Sequence, residues 1–229
     1  MLDDDLAMLG LYRDLGVRQI HLAYNRDNSI AGGCHGADIP LTPLGRLVVD
    51  EINRLGLLMD CSHSGYRTSM EVMERSNRPV IFSHSNPKSL KQHARNIGDD
   101  QIDACARTGG VVALSGIGIF LGANDIRTET LLRHIDHVAG RVGTAHVGLG
   151  LDYVFGNLSA DLPPGLDPAD WWPPGNEYDL ANIAIVPPER FPQITEALLK
   201  RGYAESDVRA ILGENMLRVA KASWGGEAG

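Results

Sequence analysis

The sequence predicts an α/β fold built on parallel strands, and three observations predict it. Strand-like and helix-like patterns alternate along the chain, as βα units require. Four runs, 57–63 (LLMDCSH), 79–85 (PVIFSHS), 110–116 (GVVALSG) and 146–153 (HVGLGLDY), are near-continuously apolar, as in strands covered on both faces. Several of the strand candidates end in a polar, chemically capable residue. With a further strand at 17–24 (VRQIHLAY), the chain has five βα units. Five parallel strands fit an open doubly wound sheet, or the last five βα units of a TIM-type (β/α)8 barrel. Periodicity does not decide between them. Polar groups gathered at the C-terminal strand ends favour the barrel, where catalytic groups cluster at that rim.

The elements follow in order. Residues 3–15 read as a helix with acids in the first turn, closed by Gly16. After the strand at 17–24 comes a Gly/Asn/Asp loop. Thr42-Pro43 is an N-cap followed by proline at the first helical position, and the helix it opens closes at Gly56. Further helices are expected at about 66–76, 99–107, 128–139, 188–201 and 206–222. The segment 156–187 is rich in Pro, Gly and Asp, carries Trp171-Trp172, and reads as a long loop near the rim with aromatic anchors.

The chain has 229 residues, 43% hydrophobic and 22% charged, which suits a single domain spanning 1–229 with a buried core. A net charge of −8 argues against a nucleic-acid or anionic-membrane surface. Cys34, Cys61 and Cys105 form no C-x-x-C spacing, so neither a disulfide scaffold nor a cysteine zinc site is expected. Reduced thiols, no apolar run long enough to span a bilayer and no signal peptide make a cytoplasmic location the expectation. The acidic start leading straight into a helix reads as a chain that begins mid-domain.

The strand ends carry the chemistry. They are Tyr24-Asn25, then Asp60-Cys61-Ser62-His63, then Ser83-His84-Ser85, then the neutral Ser115-Gly116, and last Asp152. A lone histidine at a strand end is commonly structural. Two on consecutive strands, each beside serine, place two imidazoles side by side at one rim, and neutral imidazole is a favoured zinc ligand. A zinc site takes about three protein ligands, and Asp152 is the in-chain candidate for a third. Asp60 is discounted, because strand alternation over the three residues to His63 points it the other way. By the same alternation His21 faces away from Tyr24 and reads as structural. His134 and His137 share a helix face and are expected to be solvent-exposed on an outer helix. His35 and His93 are unassigned. Arg95 near the rim is either a carboxylate clamp or a surface ion-pair partner. No G-x-G-x-x-G opens a helix and no G-x-S-x-G exists, so neither dinucleotide binding nor a serine nucleophile is inferred.

The runs LTPLGRLVVDEINRLGLLMDCSHSG and RPVIFSHSNPKSLKQHARNIGDDQI, with GGVVAL, HVGLGLDY and GENMLRV, resemble the renal (membrane) dipeptidase family of zinc metallopeptidases over essentially all of Leu6 to Val219. The resemblance implies a TIM-type (β/α)8 barrel of the metal-dependent hydrolase kind with two zinc ions, of which this chain holds about the last five βα units. It implies that His63 and His84 ligate one zinc, that Arg95 holds the substrate's terminal carboxylate, and that Asp152 moves a proton at a zinc-bridging water. The implied reaction is hydrolysis of dipeptides, including those with a C-terminal D-residue. The family's remaining ligands, a His-x-Asp pair and a bridging Glu, have no counterpart here, so an N-terminally truncated chain with little activity of its own is the expectation. Self-association into homodimers or aggregates is expected with it.

Two departures stand out. Tyr24 occupies the place of a substrate-binding histidine in animal relatives and fits a microbial branch. Asp152-Tyr153-Val154-Phe155 replaces a more acidic motif. Two rival readings remain: another metal-dependent barrel amidohydrolase, which would place a bridging lysine at a mid-barrel strand end where none is found, and a non-catalytic remnant.

Overall fold

The computed structural model describes residues 4–156, 165 and 167–224. Five strands form one sheet: β1 (Gln19–His21), β2 (Leu58–Asp60), β3 (Val80–Phe82), β4 (Val111–Leu114) and β5 (Val147–Leu149). Their spatial order is their chain order, and every neighbouring pair is parallel. A doubly wound sheet reverses its strand order at a switch point. No reversal occurs here, so the sheet is the arc of a barrel.

Helices cover the outer face of the arc: α1 (Ala7–Asp14), α2 (Pro43–Leu55), α3 (Tyr66–Arg75), α4 (Asp99–Arg107) and, after the short α5 (Gly118–Leu121) that follows β4, α6 (Thr128–Val142), on which α5 packs. After β5 come the short α7 (Pro168–Trp171), then α8 (Phe191–Lys200), α9 (Glu205–Arg209) and α10 (Asn215–Trp224). The short helices α5 and α7 lie where loops were expected. The expected loop 156–187 is largely irregular, and its residues 157–164 and 166 lie outside the described residues.

Helix α2 shows how local sequence sets the frame. The Thr42 hydroxyl accepts from the Gly45 amide at 3.0 Å, Pro43 supplies a helical φ, and Gly56 closes the helix at φ 68°. Between these signals Val48, Val49 and Ile52 are buried against the outer side of the sheet. Strand alternation then sorts the two faces. Met59, Cys61, Val80, Phe82, Val112, Leu114 and Val147 join the main core. Leu58, Ile81 and Val111 point inward and meet Val219 and Met216 of α10.

Helix α10 forms the floor of the arc. Asn215 donates to the carbonyls of Thr144 and Val147 at the start of β5, and Arg218 to those of Gly109 and Ala145. Arg78, before β3, donates to the carbonyls of Ala222 and Ser223. Trp224 donates to Arg18, just before β1. One helix of about 15 Å thus crosses the N-terminal side of the arc from β5 to β1.

The expected strands are longer than those found because their polar ends leave the ladder and turn. Asn25, His63 and Asp152 have φ values of 62°, 68° and 56°. Left-handed backbone is uncommon for non-glycine residues, and its grouping at one rim is the pattern of a functional site. The turn after β2 corrects one expectation. Alternation does not run from Asp60 to His63, because the strand stops at Asp60, and both side chains serve the same rim. The direction expected of His21 is likewise corrected: its ring lies 5.7 Å from that of His63 and 6.3 Å from that of Tyr24. His134 is 1% exposed rather than solvated, because α5 folds over it and the Leu121 carbonyl lies 2.9 Å from its Nε2.

Candidate active site

His63 and His84 meet at the rim with their Nε2 atoms 2.8 Å apart. Each ring is held from behind by its other nitrogen. Asn25 Oδ1 lies 2.7 Å from His63 Nδ1, and Asn25 Nδ2 donates to the Trp171 carbonyl at 2.8 Å. The amide nitrogen must face that carbonyl, so the amide oxygen faces His63 and can only accept. His63 Nδ1 therefore carries the proton. Behind His84, Ser83 Oγ lies 2.6 Å from Nδ1 and 2.5 Å from Asp60 Oδ2. Asp60 also accepts from the amides of Ser62 and Ser83 and from Gln19 Nε2, which fills an acceptor-only carboxylate. Ser83 gives its proton to Asp60 and accepts from His84 Nδ1.

Both Nε2 atoms are thus bare lone pairs pointed at one another. Two acceptors at that distance repel unless a cation joins them. Burial, with Arg95 and the neighbouring imidazoles adding to it, drives the His63 pKa strongly down; burial and Arg95 lower that of His84. Protonation is therefore disfavoured, and neutral imidazole with its second nitrogen hydrogen-bonded is the form that ligates metals. The donor set fits a metal ion. Among the described residues no group of three or more His, Cys, Asp or Glu converges in this way, so this chain offers two nitrogens rather than a closed shell.

Arg95 sits beside the pair. It is 3% exposed, its Nη2 donates to the His84 carbonyl at 3.2 Å, and its guanidinium lies 5.4 Å over the Phe120 ring. Among the described residues it forms no ion pair with a carboxylate, although the surface arginines Arg46, Arg54, Arg75, Arg127 and Arg141 all do. A buried cation without an anion is poised for one from outside. Arg95, His63, Tyr24 and Asp152 line a single cavity of about 200 Å³, walled by Ile117, Phe120, Val154, Trp172, Leu180, Ile183 and Ile185. The Tyr24 ring stacks on His63 at 4.1 Å. Desolvation raises the Tyr24 phenol, with Arg95 partly offsetting it, so the hydroxyl stays a donor.

The segment 167–187 closes the outer side of this cavity like a strap. His35 Nε2 lies 2.8 Å from the Tyr178 hydroxyl, and His93 Nε2 lies 2.8 Å from the Asn176 carbonyl. Lys91 pairs with Glu177, and Asn124 holds the backbone of Asn182 and Ala184. These two histidines, unassigned from sequence, are strap anchors. Burial lowers both, His35 to about 4.

The structure gathers Tyr24, His63, Arg95 and Asp152 around one cavity and brings His84 onto His63. Sequence reasoning missed Asn25 and Asp60 as supports, and Tyr178 and Phe120 as walls, whereas Trp172 lies in the loop expected near the rim with aromatic anchors. For Asp60 and Ser83 a signal existed: Ser83 directly precedes one histidine, and Asp60 precedes the turn to the other. The contact of Asn25 with Trp171 spans 146 positions and has no local signal.

Comparison with known proteins agrees with this architecture. The dipeptidase verJ of Clonostachys rogersoniana is 34% identical over 219 residues, which is 93% of this chain and 50% of that protein. The dipeptidase tcpJ of Claviceps purpurea is 28% identical over 96% of this chain and 48% of its own length. The chain therefore spans about half the length of the curated relatives it matches. An amidohydrolase from Pseudomonas aeruginosa superposes with a TM-score of 0.83 at 33% identity, covering 98% of this chain and 70% of that one. A metallopeptidase from Rhodobacter sphaeroides, solved with a phosphinate mimic of the dipeptide L-Ala-D-Ala, superposes at 0.77 with 26% identity, covering 96% of this chain and 60% of that one. The profile of the membrane dipeptidase family, peptidase family M19, matches residues 1–167, more than half of the sequence, and the chain belongs to that family.

Proposed function

We propose that this chain carries the substrate-binding half of a zinc-dependent dipeptidase centre. The observation that carries this reading is Arg95, a buried guanidinium without a carboxylate partner, in one cavity with His63 and next to the converging pair of imidazoles. His63 and His84 would hold one zinc ion through Nε2. When bound, zinc supplies Lewis acidity, polarising a carbonyl and lowering the pKa of water towards roughly 7. The likeness to relatives that act on dipeptides supports the substrate class.

The chain's own residues do the rest. Arg95 grips the substrate's C-terminal carboxylate by its planar fork and so sets the scissile bond one residue away. Tyr24 donates a hydrogen bond to the substrate carbonyl from its place on His63. Asp152 takes the proton from the attacking water and returns it to the departing amine nitrogen as the C–N bond breaks, which balances the hydrolysis. The apolar strap wall excludes water and receives the side chain of the C-terminal residue. The Rhodobacter protein's ligand extends this to C-terminal D-residues, with D-alanine the first to be tried. Two imidazoles are fewer than the roughly three protein ligands of a catalytic zinc site, so weak zinc retention and slow turnover are expected of this chain alone.

The test is zinc uptake together with hydrolysis of a dipeptide panel, each peptide paired with its C-terminal amide. Turnover of free-carboxylate peptides that is lost with the amides, and a KM raised at least tenfold by Arg95→Ala, is the expected outcome. Equal turnover of amides and free acids would remove the Arg95 reading.

A further inference from the structure

Asn25 does more than orient a ring. Asn25 is 1% exposed and its side chain faces three partners at once: His63 Nδ1 at 2.7 Å and the Cys34 thiol, which donates at 3.4 Å, through its oxygen, and the Trp171 carbonyl at 2.8 Å through its nitrogen. Trp171 closes α7, and the next residue, Trp172, lines the cavity. Tyr24 reinforces the same link, since its ring stacks on His63 and lies 5.9 Å from Trp171 and 6.4 Å from Trp172. The backbone at Asn25 is left-handed, φ 62°, which asparagine tolerates better than most residues. One amide thus joins the metal-facing ring to the strap over the substrate cavity.

We propose that Asn25 is a positioning residue that couples the seating of the 167–187 strap to the occupancy of the His63 nitrogen opposite it. A cation on Nε2 makes Nδ1–H a stronger donor. The Asn25 oxygen then accepts more strongly, its amide polarises, and its Nδ2–H becomes a better donor to the Trp171 carbonyl, because hydrogen bonds in a chain strengthen one another. Loading the site tightens the strap, and a seated strap holds His63 in the tautomer that binds. The inference rests on the proposed zinc reading for the cation, whereas the link between Asn25 and the strap stands without it.

Asn25→Asp separates the two ends of the amide. It keeps the shape, the tolerance for left-handed backbone and an acceptor for His63, and it loses the donor to Trp171. The measurement is hydrogen exchange of residues 167–187 in the whole chain, with and without added zinc, alongside zinc affinity by chelator competition. In the wild type, zinc is expected to slow strap exchange. In Asn25→Asp, zinc affinity should be kept or raised, while the strap exchanges about three- to tenfold faster and no longer responds to zinc, the size expected for one hydrogen bond. A strap that slows on zinc binding as much in Asn25→Asp as in the wild type would overturn the coupling. If the wild type takes up no zinc, the zinc reading fails by itself. The link is then read from the metal-free chains, where equal strap exchange in the two proteins overturns it and faster exchange in the variant upholds it.

Discussion

Ser83 Oγ lies 2.5 Å from Asp60 Oδ2, and this bond decides which nitrogen of His84 faces the site. With its proton committed to Asp60, the hydroxyl has only lone pairs to offer His84 Nδ1, 2.6 Å away. Ser83→Ala removes that acceptor and leaves the imidazole free to flip or change tautomer. Loss of such a support costs roughly 10–100-fold in metal affinity. Chelator competition on Ser83→Ala is expected to show a loss in that range with little change in melting temperature. Unchanged affinity would mean that the backbone alone orients His84.

Asp152 projects from left-handed backbone at the end of β5 into the cavity it shares with His63 and Arg95. Asp152→Asn keeps that conformation accessible and the side chain's size, and removes its ability to carry a proton. In an active form of the enzyme, kcat should fall about 10²–10⁴-fold with KM nearly constant. A variant that raises KM alone would recast Asp152 as a binding group.

His134 gives the chain a stability that depends on pH. Burial holds its pKa at about 4, against about 6.5 for an exposed histidine, so the unfolded chain takes up a proton there before the folded one does. Its contribution is complete above about pH 6.5 and is lost as the pH falls towards 4, on the order of 3 kcal/mol in all. His134→Gln keeps a donor for the Leu121 carbonyl and does not titrate. Urea unfolding at pH 7 and pH 5 should show a smaller drop in the variant than in the wild type; equal drops would assign the pH dependence to other histidines.

Gly150 allows β5 to pass close to the end of β3. A Cβ at this position would lie 1.8 Å from the Ser83 carbonyl oxygen, which is backbone and cannot swing aside. Gly150→Ala is expected to cost about 1–3 kcal/mol or more, and to displace Ser83 and hence His84. Thermal unfolding and zinc affinity should both fall. A fully stable variant with weakened zinc binding alone would show that the strain is absorbed at the rim.

Among the described residues, strands β1 and β5 each have a neighbour on one side only. Open strand edges invite pairing, so light scattering during size exclusion should give a mass above that of one chain. A monomeric mass across the accessible concentrations would show that the edges are protected by their own side chains.

Much of the frame was legible in local sequence, because local physics sets it. Thr42, Pro43 and Gly56 bound α2 by capping alone, and the apolar runs that became β2 to β4 are buried on both faces. The histidine pair was legible because each residue follows such a run directly. The directions of Asp60 and His21 were misjudged because strand periodicity was carried past the point where the chain turns. His134 was placed in solvent because the covering helix α5 is only four residues long and reads as loop. The strap's attachments at Asn25, His35 and His93 are long-range contacts, and nothing in a local window announces them.

The floor helix also fixes an order in time. Its bonds reach the starts of β1, β3, β4 and β5, yet it is synthesised after all five. On the ribosome, a nascent chain that has already produced His63 and His84 still lacks the piece that packs on Leu58, Ile81 and Val111. Until residues 215–224 emerge, those apolar side chains stay uncovered on the inner face. A stop codon before Asn215 would therefore release a sheet whose rim residues are all present but whose base is unlatched, a target for chaperones and proteases.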